Sequence, residues 1–182
     1  MAAYREHARF DIETRTVDEG RPNFDTMLKV VEIENDGLLL DDSRARVRCA
    51  RNVHPPIRDS YAFRIDAPDR SYVFSGDSTY SDAVIALAKG ADVLVHEVMY
   101  LPAPDALIAS KPNAKSLREH LIASHSTPEQ VGRVATEAGV KTLVLSHFVP
   151  GGPVVSDETW LAAVRPHFAG EIVVGRDLMA LP

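Results

Sequence analysis

Residues 72–97 constrain this chain more than any other stretch. An apolar run, Tyr72, Val73, Phe74 and Ser75, stops at Gly76 and Asp77. A helical segment carrying Val84, Leu87 and Ala88 follows, and a second apolar run, Val93, Leu94 and Val95, stops at His96 and Glu97. The spacing predicts strand, helix, strand, with polar side chains at both strand ends. Ser81 suits the N-cap and Gly90 the position after the helix, because each satisfies backbone groups that a helix end leaves orphaned. The fold class is α/β. In open α/β sheets ligands collect beyond the carboxyl ends of the strands, so Asp77 and His96 are the first places to look for chemistry.

The flanking sequence extends the same architecture. With 182 residues and 45% hydrophobic content the chain can build one sizeable core, so a single domain over 1–182 is expected. Residues 1–27 read as a loosely ordered segment with at most a short strand at 10–17. Strands at 28–33 and 45–53 about a turn signal at Asn35, Asp36 and Gly37 predict an antiparallel pair, interrupted at His54, Pro55 and Pro56, where prolines cannot donate. Runs at 61–65 and 72–75 flank a turn at 67–69. Prolines punctuate a loop at 101–113, closed by a helix at 114–123. Thr127, Pro128 and Gln130 open a capped helix, Val131, Val134, Ala135 and Ala138 form its apolar stripe, and Gly139 ends it. A strand at 141–145 runs into Ser146, His147 and Phe148. A helix from Ser156 carrying Trp160, Leu161 and Val164 and a strand at 171–174 close the chain.

Composition removes several classes. A net charge of −6 gives no basic face for phosphate backbones, which disfavours nucleic acid as a partner. Cys49 is the single cysteine, so neither an internal disulfide nor a cysteine zinc cluster can form within the chain. No run approaches the roughly 20 apolar residues of a membrane span, and the start is too polar for a secretory signal. A cytoplasmic protein without membrane contact is the expectation.

His54, Asp77, His96 and His147 all follow β-like runs, and His125 stands just before a helix. Imidazole and carboxylate suit zinc, and an aspartate between two histidines could bridge two ions roughly 3.5–4 Å apart. The same placements are also ordinary α/β anatomy: a loop histidine beside prolines, a turn aspartate, a partly buried imidazole. His7, His120 and His167 read as surface or tail residues.

Several motifs together resemble the metallo-β-lactamase superfamily, in its ribonuclease Z and arylsulfatase-like branch. Ser75, Gly76, Asp77 and Ser78 resemble its SGDT element; Leu145, Ser146, His147 and Phe148 resemble its LTHF element. Val53, His54, Pro55 and Pro56 ahead of Tyr61, Ala62, Phe63 and Arg64 resemble the segment that carries its third metal motif. His96 with Glu97, and Ser124, His125, Ser126 and Thr127, resemble the HEAT and HST elements of ribonuclease Z.

The resemblance implies part of a four-layer αββα sandwich and a zinc-dependent hydrolase, with two zinc ions in a complete member. It assigns metal binding to His54, Asp77 and His147, leaving-group protonation to His125, and orientation of that group to Glu97 with His96. The HxHxDH motif is absent, so an incomplete metal set and an amino-terminally truncated enzyme are expected. Only about ten residues separate Arg64 from Phe74, which leaves no room for the ribonuclease Z arm. A small-molecule ester, sulfate ester or lactone is therefore the expected substrate. The alternatives are a ribonuclease Z-like phosphodiesterase and an inactive half-domain or binding module, whose open sheet face could form a homodimer.

Overall fold

The computed structural model describes residues 2–101, 108, 116–152 and 154–181. The chain divides into two compact units, Met1–Glu34 and Asn35–Pro182.

The first unit is helical: α1 (Ala2–His7), α2 (Arg9–Val17) and α3 (Phe24–Met27). This corrects the expected strand at 10–17. Arg9 pairs with Glu13 at 3.2 Å and Arg15 with Asp11 at 3.0 Å, both four residues apart, a spacing that brings opposite charges together only on a helix. The expected strand at 28–33 is also absent, and residues 28–34 belong to no regular element.

The second unit is a seven-stranded sheet in sequence order: β1 (Gly37–Asp41), β2 (Arg46–Arg51), β3 (Tyr61–Asp66), β4 (Ser71–Phe74), β5 (Val93–Met99), β6 (Thr142–Val149) and β7 (Glu171–Val174). The partner of β2 is thus Gly37–Asp41, and the turn lies later than expected. Asp42 accounts for the shift, because its Oδ1 accepts the backbone N–H groups of Arg44 at 2.8 Å and Ala45 at 3.1 Å. That side-chain turn closes the hairpin in place of Asn35, Asp36 and Gly37.

Strands β1 to β4 are antiparallel neighbours, whereas β4 to β7 are parallel. The carboxyl ends of β4, β5, β6 and β7 therefore share one edge. Since β3 is antiparallel to both β2 and β4, the end of β2 arrives there too.

Four helices accompany the sheet among the described residues: α4 (Asp82–Ala88), α5 (Leu117–Ser124), α6 (Pro128–Ala138) and α7 (Asp157–Val164), with a 3₁₀ turn at Arg165–His167. Ser81 caps α4 by accepting from Val84 N, and Thr127 and Gln130 form the reciprocal capping box of α6, which ends at left-handed Gly139. The loop expected at 101–113 and the start of the helix expected at 114 lie almost wholly outside the described residues.

Val73, Leu94, Leu143 and Ile172 lie in one register row. They are buried in one core with Val84, Ala88, Val131, Val134, Ala135, Trp160 and Val164 of the helices. The next row, Phe74, Val95, Val144 and Val173, belongs to the opposite face by strand alternation, where Phe74 keeps 42% of its surface exposed. No helix among the described residues is long and apolar enough to cross a membrane.

Candidate functional site

The shared edge gathers most of the predicted residues. After β4 the chain turns sharply through Ser75, Gly76 and Asp77. Gly76 has φ 61°, and a Cβ there would lie 2.9 Å from the Tyr61 carbonyl oxygen and 3.0 Å from Asn52 Nδ2. Both the left-handed backbone and the close approach call for glycine. The turn is pinned to β5, because Ser75 N donates to the Val95 carbonyl at 3.0 Å and Glu97 N donates to Ser75 Oγ at 3.2 Å.

His147 meets Asp77 from β6. In the β5–β6 ladder Glu97 pairs with Ser146 and Val98 with Phe148, so His147 is the unpaired residue of a bulge, and its φ is 42°. A bulge re-aims one side chain out of strand alternation. Here it sets Nε2 of His147 3.3 Å from Oδ2 of Asp77, both side chains being partly exposed. A groove of about 560 Å³ opens beside them, with Phe74, Val95, Val144, His147 and Arg176 among its walls.

Glu97 and His125 form the buried half of the site, at 2% and 7% exposure. Oε1 of Glu97 accepts the backbone N–H groups of Ser78 at 3.1 Å and Ser126 at 3.0 Å, which ties the turn after β4 to the segment between α5 and α6. The same oxygen lies 3.3 Å from Nδ1 of His125. Interaction with the Glu97 carboxylate raises the His125 pKa above its ordinary value, against the opposing pull of burial. The alignment falls short of a hydrogen bond, and among the described residues Nδ1 of His125 and Oε2 of Glu97 are both buried without a partner.

His54 enters from the end of β2. Its Nδ1 lies 3.0 Å from the Ser124 carbonyl oxygen, and its ring packs edge-on against His125 with centroids 5.5 Å apart. On its other side His125 stacks on His147 at 5.8 Å. The imidazole of His125 thus stands between the rings of His54 and His147. Among the described residues no group of three or more His, Cys, Asp or Glu is placed to hold a metal ion. Asp77 and His147 are together at 3.3 Å, and the contacts of His54 are to Ser124 and His125.

His96 lies elsewhere. It is 1% exposed, alternation puts it with Leu94 on the helix-covered face, and its Nδ1 contacts the Glu97 carbonyl at 2.7 Å. Burial lowers its pKa. The structure therefore does not bring His96 into the cluster, because Glu97 alternates to the other face.

Three site residues escaped the sequence reasoning. Asn52 donates Nδ2 to the carbonyls of Ser75 at 2.6 Å and Asp77 at 3.1 Å. Ser78 Oγ accepts from Val53 N at 3.2 Å, and Ser126 Oγ donates to the Ser78 carbonyl at 2.7 Å. Ser78 and Ser126 had a signal in their motifs; Asn52 had only its place two residues before His54.

Residues 6–148 match the family model described as a beta-lactamase superfamily domain. The chain is 32% identical over 178 residues to a ribonuclease Z of Mycobacterium avium, covering 98% of this chain and 61% of that protein. It is 33% identical over 138 residues to a ribonuclease Z of Mycobacterium tuberculosis, covering 76% and 48%. Among solved structures it is similar to the metallo-beta-lactamase fold protein YhfI of Bacillus subtilis, with TM-score 0.61, 22% identity, and coverage of 88% of this chain and 60% of that one. It is also similar to the short form of human tRNase Z, with TM-score 0.51, 25% identity, and coverage of 80% and 45%. The chain spans about three fifths or less of the length of these relatives.

Proposed function

The chain belongs to the beta-lactamase superfamily, and from that premise we infer that Asp77, His147, His125 and Glu97 are its contribution to a hydrolytic site whose target is a phosphodiester. The observation that carries this reading is the Glu97–His125 pair at 3.3 Å, set directly beside the Asp77–His147 pair. With Nδ1 facing Glu97, the other ring nitrogen of His125 is left for the substrate. A raised imidazole pKa keeps a proton available near neutral pH for the leaving oxygen. Glu97 holds that ring in place, and Asp77 with His147 orients the reacting centre.

The identity to ribonuclease Z supports a phosphodiester over the small ester, sulfate ester or lactone expected from the sequence, and brings a nucleic-acid strand into the substrate class. The tight turn between β3 and β4, four residues long at 67–70, leaves no arm at that point. Asp77 and His147 offer two donors, whereas zinc takes about four ligands, of which catalytic sites draw about three from protein. The described residues alone do not fit a metal centre, so no step is routed through one.

The test is release of p-nitrophenolate from bis(p-nitrophenyl) phosphate and from p-nitrophenyl acetate, with zinc supplied in excess. Phosphodiester turnover that drops about 100-fold in His125→Ala, the scale of a lost general acid, and that also falls in Asp77→Ala supports the reading. Turnover of the acetate alone, or phosphodiester turnover indifferent to both changes, overturns it.

A further inference from the structure

Asn52 is 8% exposed at the end of β2. Its amide donates to the carbonyl oxygens of Ser75 at 2.6 Å and Asp77 at 3.1 Å, the two residues on either side of Gly76. Both N–H bonds are committed to the turn, and Oδ1 is buried with no partner among the described residues. An amide that serves two carbonyls and strands its own oxygen is poorly placed for stability alone. The turn is shaped to match, since any side chain at Gly76 would meet this same Nδ2 at 3.0 Å. The backbone beyond Asn52 continues the attachment: Val53 N donates to Ser78 Oγ at 3.2 Å and Thr79 N to the Val53 carbonyl at 2.9 Å.

We propose that Asn52 is a positioning residue of the site, acting through the Ser75 and Asp77 carbonyls to set the direction in which the Asp77 carboxylate meets His147. Two acceptors facing one side chain require two donors. Aspartate offers none and would oppose the carbonyls, serine could serve one, and glutamine is a methylene too long. The effect on turnover rests on the hydrolase reading; the effect on geometry does not.

Two measurements separate these. In the unmodified protein, NMR scalar couplings across the hydrogen bonds from the Asn52 amide nitrogen to the Ser75 and Asp77 carbonyl carbons report both contacts directly, and absence of both overturns the proposal. In Asn52→Asp, and more weakly in Asn52→Ser, the signals of Gly76, Asp77, Ser78 and the His147 ring move while those of Leu143, Trp160 and Ile172 hold still. A residue with a purely structural role would move the core as well. On bis(p-nitrophenyl) phosphate, kcat falls at least about tenfold with KM within about twofold, as expected for a misplaced reacting group. Unmoved Gly76 and Asp77 signals, or an unchanged kcat in a variant whose parent is active, overturn the assignment. If the parent shows no phosphodiester turnover, the hydrolase reading fails while the couplings and shifts still decide the role of Asn52.

Discussion

Nε2 of His147 reaches within 3.3 Å of Oδ2 of Asp77 from a left-handed backbone with φ 42°. Such a conformation costs a non-glycine residue about 1–3 kcal/mol, whereas a partly exposed side-chain contact returns at most about 1 kcal/mol. The contact is therefore held by its surroundings at a net local cost, the pattern of a site arranged for chemistry.

It follows that His147→Gly should be neutral or stabilising by up to about 1 kcal/mol, because glycine adopts this backbone freely. Urea unfolding at constant m-value checks this. A loss greater than about 1 kcal/mol would mean that the imidazole contributes to packing and that the strain argument is wrong.

Glu97 offers a larger effect. In Glu97→Ala the buried N–H groups of Ser78 and Ser126 lose their acceptor, which costs about 3 kcal/mol in total. Glu97→Gln keeps an oxygen there and should cost less than half as much. Equal losses in the two variants would point to volume in place of hydrogen bonding.

Two histidines should give stability opposite dependences on pH. The raised pKa of His125 contributes stability that is fully present below its ordinary value near 6.5 and is lost as pH rises through the folded-state value. The lowered pKa of His96 contributes stability present above 6.5 and lost as pH falls toward the folded-state value. Unfolding free energies measured between about pH 5 and pH 8 should therefore lose their acid-side slope in His96→Gln and their alkaline-side decline in His125→Asn. A single variant that removes both slopes would refute the assignment.

Zinc titration followed by calorimetry should give at most one weakly held ion per chain, abolished by Asp77→Ala or His147→Ala, since those two side chains are the donors found together. Two tightly held ions would contradict a donor set limited to Asp77 and His147.

Much of the fold was legible because its signals are local. The cap at Ser81, the capping box of Thr127 and Gln130, and the left-handed stops at Gly90 and Gly139 each involve residues a few positions apart, and so did the strand, helix, strand unit at their centre. Errors arose where two local signals competed. Asp42 closed a turn that Asn35, Asp36 and Gly37 also advertised, and charge pairs at a spacing of four made a helix of a segment read as a strand.

The sequence by itself determined which residue types stand at the strand ends, since apolar runs and their terminators are set by neighbours in the chain. Only the tertiary structure decided which of them meet. His96 and Glu97 are adjacent in sequence, yet strand alternation sends one into the helix-covered core and the other to His125, 28 residues further on. Asn52 and Asp77 are 25 residues apart and joined through a carbonyl. Contacts of that kind depend on the order and direction of whole strands, and on a bulge that re-aims one imidazole, neither of which a short window of sequence contains.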